Sequence, residues 1–77
     1  METMITRPLS QVDEGQTVNI IRIDGGRVLR VRLTTLGLLP NTQVTMVHSG
    51  RSGPFVISVK NSKIALGKGI MDKIMVS

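Results

Sequence analysis

The 77-residue chain contains no cysteine, no tryptophan and no tyrosine, and its only aromatic side chain is Phe55. Without cysteine there can be no disulfide and no thiolate zinc site, the two devices that chains this short often lean on. A domain of this size buries only about 60% of the surface its unfolded chain exposes. The fold must therefore rest on aliphatic packing and backbone hydrogen bonds, helped where needed by a partner. The absence of cysteine also fits a reducing compartment. No run reaches the ~18 apolar residues that a membrane-spanning helix needs. Met1 to Ser10, with Glu2, Thr3, Arg7 and Pro8, lacks the apolar centre of a secretory leader. The expectation is one cytoplasmic domain over residues 1–77, with 1–7 a loose tail or edge segment and no membrane insertion.

Acidic residues are scarce too. Five Asp and Glu stand against ten Lys and Arg, a formal net charge of +5. That balance suits nucleic acid, an acidic protein surface or an anionic membrane face, and it also suits simple solubility. The basic residues are dispersed, and the densest group is Arg27, Arg30 and Arg32. A single-strand or RNA platform stacks bases on aromatic rings, and Phe55 alone does not make one. No nucleic-acid partner is expected, although a small barrel binding duplex by charge alone stays open as an alternative.

The inventory for chemistry is equally thin. Ferrous iron favours His nitrogen combined with carboxylates, yet His48 is the sole histidine and no carboxylate neighbours it in sequence. Adjacent Asp13 and Glu14 read as a solvated turn, with a weak cation site there as the lesser alternative. Met1, Met4, Met46, Met71 and Met75 form no Met-x-Met or Met-x-x-Met cluster, so Met46, Met71 and Met75 read as core filler. Gly67-Lys68-Gly69 is not a phosphate-binding loop, because Gly-x-x-x-x-Gly-Lys-Ser/Thr is absent. Gly25-Gly26 lacks the third glycine of a dinucleotide fingerprint. No nucleophile sits beside an evident base. The chain reads as a non-enzyme with no catalytic, cofactor-binding or metal-ligating residues.

What the chain does have is punctuation: eight glycines and three prolines break it roughly every eight to ten residues, the rhythm of a short-stranded fold. Ser10 to Asp13 resembles a capping-box start, giving one helical turn that ends at Gly15. Thr17 to Ile23 is β-branched and apolar, hence a strand, and Asp24-Gly25-Gly26 ends it. Arg27 to Leu36 is ambiguous. Leu29, Val31 and Leu33 alternate with Arg30 and Arg32 as in a strand, while Leu29, Leu33 and Leu36 sit at i, i+4 and i+7 as in a helix. Leu36-Gly37-Leu38-Leu39-Pro40 decides for a short helix. Gly37 suits the residue just past a helix end, Leu38 then meets Leu33 as in a Schellman cap, and Pro40 blocks continuation. The β-branched Val28, Val31, Thr34 and Thr35 oppose this reading. Gln43 to His48 follows as a strand, with Val44, Met46 and His48 on one face. Ser49 to Pro54 reads as a flexible loop, Phe55 to Lys60 as a strand, Asn61-Ser62 as a tight turn and Lys63 to Leu66 as a short strand. One helical turn over Ile70 to Lys73 and a closing strand from Ile74 to Val76 complete the chain. Five short strands and one helix predict a small barrel, SH3-like or OB-like, whose closure would leave no long edge exposed.

The ordered pattern resembles the ferrous-iron transport protein A family, the FeoA-like domain, from about Leu9 to Val76. Its most specific piece is Arg30-Val31-Arg32-Leu33-Thr34-Thr35-Leu36-Gly37-Leu38-Leu39-Pro40. Leu9 with Gly15, Val18 with Ile20, Gly25-Gly26, Val44, Gly53-Pro54, Ile64-Ala65-Leu66, and Ile74 with Val76 extend it. Asn41 departs from the usual glycine after the proline, Gly67 from a frequent arginine and Met71 from a frequent alanine. Asn tolerates left-handed geometry, so the turn can survive. The resemblance implies a mostly β, SH3-like barrel with one short inserted helix. It further implies a cytoplasmic accessory of ferrous-iron transport that docks on the GTPase-bearing membrane transporter FeoB, or on its G domain, and modulates it. The same domain type resembles the C-terminal module of some metal-dependent repressors, which leaves a metal-sensing module as another alternative. The expected docking residues are Arg27, Arg30, Arg32, Leu38 and Leu39, and open strand edges leave weak self-association available.

Overall fold

A computed structural model describes residues 5–50 and 53–77. The elements run β1 (Arg7–Pro8), a 3-10 turn (Leu9–Gln11), β2 (Thr17–Ile23), α1 (Arg27–Thr35), β3 (Gln43–His48), β4 (Phe55–Val59), β5 (Ser62–Leu66), α2 (Lys68–Met71) and β6 (Ile74–Val76). All strand pairs are antiparallel, and the sheet order is β1-β6-β2-β3-β4-β5. This is the mostly β, SH3-like arrangement expected, but the hydrogen-bonded sheet does not close on itself. β1 and β5 remain at its two ends, so the barrel curls around the core without abolishing its edges. Residues 1–4 of the expected tail, and two residues of the 49–54 loop, lie outside the described residues.

The curl originates in β2. Thr17, Val18 and Asn19 pair with β3, whereas Ile20, Arg22 and Ile23 pair with β6, with a register shift between Ile20 and Arg22. The chain thus changes partners midway along one strand, as a bulge permits by adding local twist. The turn after α1 is stitched to this point. Leu39-Pro40-Asn41-Thr42 closes through Thr42 N–H to the Leu39 carbonyl at 3.0 Å. Pro40 takes the second position and Asn41, at φ 71°, the third, the geometry of a type II turn. Asn41 N–H donates to the Ile20 carbonyl at 2.7 Å and Ile20 N–H to the Thr42 carbonyl at 2.9 Å. Asn in place of glycine is therefore accommodated.

Inside lie only apolar side chains. Leu9, Ile20, Leu33, Leu38, Met46, Ile57, Met71, Ile74 and Val76 are each 0% exposed, and among the described residues no polar or charged side chain is buried. β4 supplies Phe55, Ile57 and Val59 from one face, following the two-residue period of a strand. Several local expectations shift. The turn expected at Asn61-Ser62 falls one residue earlier, on Lys60 and Asn61, both at positive φ (48° and 70°), as a two-residue primed hairpin turn requires. The final helical turn begins at Lys68 rather than Ile70. The capping box at Ser10 is absent: the 3-10 turn starts at Leu9 behind Pro8 with no side-chain cap. The Ser10 hydroxyl instead donates to the Asp72 carboxylate, which also accepts from Lys68 Nζ at 2.9 Å. That tie holds the first turn of the chain against α2.

The end of α1 follows the expected cap in both of its bonds. Gly37 N–H donates to the Thr34 carbonyl and Leu38 N–H to the Leu33 carbonyl, each at 2.9 Å, with Gly37 at φ 90°. These are the two bonds of the Schellman motif. No atom lies within 4 Å of where a Cβ on Gly37 would sit, so only backbone conformation resists substitution there. Gly37→Ala should destabilise the protein by about 1–2 kcal/mol, and Gly37→Asn by less, as read by urea denaturation. Leu33→Ala, which empties a fully buried site, should cost about 2–5 kcal/mol.

A second expectation concerns pH. The Ser10 hydrogen bond, followed by Lys68, holds the Asp72 carboxyl below its ordinary value of 3.8. A carboxylate depressed in the fold contributes stability that is complete above the unfolded value and lost as pH falls through the folded one. Asp72→Asn should lower Tm at pH 7, and its deficit relative to the parent should shrink as pH drops below about 4. A deficit constant from pH 7 to 2 would contradict the ionic origin of the tie.

Candidate functional site

α1 is poorly made as a helix standing alone. Its N-cap, Gly26, offers no side-chain acceptor, its first turn holds no acid, and Arg27 occupies its first position, where the positive end of the helix dipole disfavours a cation. Four of its nine residues are β-branched, which lowers propensity further. The helix exists because Leu33 is buried, Leu29 packs against the core and the Schellman cap seals its end. At 100° per residue, Leu29 and Leu33 point inward while Val28, Val31 and Thr35 recur at i, i+3 and i+7 on the opposite side.

That opposite side is open. Val28 is 83% and Val31 57% exposed, and at and past the helix end Leu36 and Leu39 are exposed to 42% and 38%. Four of the six large hydrophobic side chains exposed among the described residues therefore fall between Val28 and Leu39. Scattered exposed hydrophobics need no explanation, but their concentration on one short segment does. Arg27, Arg30 and Arg32 lie on this segment, all exposed. None of them makes a salt bridge or side-chain hydrogen bond among the described residues. The nearby carboxylate, Asp24, is engaged by Arg22 through bonds of 2.8 and 3.3 Å.

Leu38, expected both in the cap against Leu33 and beside Leu39 in the docking surface, takes only the first place: it is 0% exposed, which removes it from the docking surface. Leu39 turns outward. The pair divides because the left-handed Gly37 reverses the chain, sending one leucine under the helix and the next past its end. Val28, Val31 and Leu36 were missed as surface residues, although their spacing was visible in the sequence.

The structure also brings together groups that are far apart in sequence. His48 Nδ1 lies 3.5 Å from Glu14 Oε2, and the same oxygen accepts from the Ser49 N–H at 2.9 Å and its hydroxyl at 3.1 Å. Asp13, Glu14, His48 and Ser49 line an open cleft of about 340 Å³. His48 shares a strand face with Val44 and Met46 by simple alternation, yet as the last residue of β3 it lies at the surface. A register shift between Met46 and His48 turns it out to solvent toward Glu14. Both side chains are about half exposed, and Glu14 serves here as a clasp joining the turn after the 3-10 segment to the end of β3. Among the described residues no three His, Asp or Glu side chains gather closely enough to hold a metal ion.

Among the described residues no helix is long and apolar enough to cross a membrane. The FeoA domain family model matches residues 7–77. A protein of Methanocaldococcus jannaschii, provisionally named Fe(2+) transport protein A, is 36% identical over 69 residues, covering 90% of this chain and 83% of that one. The crystal structure of an iron uptake regulatory protein (FeoA) superposes with a TM-score of 0.87 at 32% identity, over 96% of this chain and 97% of the other. A manganese-dependent transcriptional repressor superposes with a TM-score of 0.86 at 17% identity, this chain matching 42% of its length; that likeness is one of fold. With the family model spanning the described barrel from β1 to the end of β6, and a relative at this level of identity along nine-tenths of the sequence, the chain belongs to the FeoA domain family.

Proposed function

We propose that this protein is a non-enzymatic accessory of ferrous-iron transport that works by docking, on the cytoplasmic side, onto a GTPase-bearing membrane iron transporter of the FeoB type or onto its G domain. The observation that carries this reading is the uncovered face of α1. It presents Val28 and Val31, with Leu36 and Leu39 exposed toward its C-terminal end, beside three arginines that have no acidic partner among the described residues. A small domain that leaves such side chains exposed gains by covering them, and the arginines bias the cover toward an acidic protein surface. Arg27, Arg30, Arg32 and Leu39 thus remain docking residues, and Leu38 supports them from beneath. The names of the relatives, an Fe(2+) transport protein A and an iron uptake regulatory protein, supply the transport context.

The chemistry available to the chain fits a modulator. Docking transmits an effect only if the partner's states bind the domain unequally. A preference for one nucleotide state of the transporter would shift that state's population and so its rate of hydrolysis.

Affinity-tagged protein mixed with detergent-solubilised cognate transporter should retain it in at least one of the GDP-bound, GTP-analogue-bound and nucleotide-free states. The transporter's GTP hydrolysis rate should change on addition of the domain. Retention in none of the three states, with both proteins folded, defeats the proposal. Retention of duplex DNA or RNA near physiological salt, with no transporter bound, would favour the nucleic-acid alternative.

A further inference from the structure

We infer that the outer face of α1 is one half of a helix–helix seam, and that its occupant is an acidic amphipathic helix of the transporter. This rests on the docking reading above and names the chemistry of the element that docks.

The seam is visible in the spacing. Val28, Val31 and Thr35, at i, i+3 and i+7, fall on one line along the exposed side of α1, opposite the buried Leu33. This is the a–d–a spacing by which one helix meets another. With Val28 at position a and Val31 at d, Arg27 and Arg32 occupy the flanking g and e positions, one on each side of the line. Arg30 lies one turn along from Arg27. Charges at e and g select the partner in such seams, and here both flanks are positive. A helix apolar on both faces is one that expects neighbours on both. The barrel supplies the inner neighbour through the core around Leu33, and among the described residues nothing supplies the outer one. Nine residues make a seam only about 14 Å long. A contact of that length is of transient size.

The side-chain types point to protein rather than lipid. All three cations of α1 are arginine, while Lys60, Lys63, Lys68 and Lys73 lie elsewhere. The guanidinium fork matches a carboxylate in two hydrogen bonds at once, whereas an anionic leaflet attracts lysine and arginine alike. Helices that lie in a membrane interface present bulky Trp, Phe and Leu. The centre of this line is valine, and Phe55, the only aromatic, is buried in the barrel. A nucleic acid would match the arginines but leave the valines against a charged backbone.

The absence of cysteine makes the test clean, since Val31→Cys carries the only thiol in the chain. A thiol-linked benzophenone at that position is photolysed with the cognate transporter in vesicles containing phosphatidylglycerol, and the adduct is mapped by mass spectrometry. Lys63→Cys, on the edge strand β5, is the control site. The expected adduct joins Val31→Cys to a transporter segment with apolar residues at helical spacing flanked by Asp or Glu. Arg27→Glu with Arg32→Glu in the same background should weaken binding about tenfold or more. Lysines in place of the facing carboxylates should restore it. Val31→Asp should weaken binding on the order of 100-fold, and unchanged circular dichroism would show these exposed positions leave the fold intact. Adducts to phosphatidylglycerol alone overturn the inference. So do adducts from Lys63→Cys and not Val31→Cys, an outcome that leaves docking itself standing. Failure to retain the transporter at all removes the docking reading and this inference together.

Discussion

The reversal of the chain at Gly37 is the point on which the rest of this structure depends. A left-handed residue there lets Leu38 N–H reach the Leu33 carbonyl and carries the Leu38 side chain under the helix into the barrel. Two fully buried leucines then anchor a segment that has little else to make it helical. The turn that follows, Leu39 to Thr42, is bonded to β2 at Ile20, where β2 leaves β3 for β6. Helix, turn and strand switch are thus coupled. Loosening the cap would free α1 and also the residues that hold the curl of the sheet.

This coupling explains how a domain with no disulfide and, among the described residues, no buried polar side chain keeps an unfavourable helix in place. Local terms work against α1: an uncapped first turn, a cation at its positive end and β-branched side chains. Burial of Leu33 and Leu38 outweighs them, since a fully buried leucine is worth about 1.5–3 kcal/mol against a few tenths for each poor helix former. Local preference and global fold conflict in proteins chiefly where function requires it. The conflicting residues here, Arg27, Val28 and Val31, are the ones that form the exposed strip. A helix optimised for its own stability would carry an acid at its first turn and polar residues outward, and it would present nothing for a partner to cover.

Much of this could be read from the sequence, and the losses have physical causes. β2, β3 and β6 were legible because β-branched alternation over a half-buried face leaves few other readings. α1 was legible through its end rather than its body: Gly37 and Pro40 resolved a segment whose apolar residues fitted two periods. Features joined through space were not legible. Ser10 and Asp72 are 62 positions apart, and Glu14 reaches Ser49 across 35. Nor was the bulge between Met46 and His48 legible, since nothing in Gln43 to His48 announces one. The outward line of Val28 and Val31 was present in the sequence but was counted only against the helix, as β-branched residues. Its meaning required knowing that Leu29 and Leu33 already satisfied the inner face.

The likeness to manganese-dependent repressors sharpens what the exposed strip can mean. At 17% identity the two chains superpose with a TM-score of 0.86, so the barrel tolerates replacement of most of its residues. What it must retain is an aliphatic interior of the right volume and a few turns with left-handed positions, and many sequences provide those. Fold therefore says little about partner, and what distinguishes one such domain from another lies on its surface. In this chain the densest group of cations, Arg27, Arg30 and Arg32, lies on α1. Elsewhere two cations have acidic partners, Arg22 with Asp24 and Lys68 with Asp72, while among the described residues Lys60, Lys63 and Lys73, like the three arginines of α1, have none. Unbalanced charge beside uncovered hydrophobic side chains is costly for a free monomer and useful to a bound one. Exposed valines beside the densest group of arginines, and not the distribution of ion pairs, are thus what sets α1 apart from the rest of this small barrel.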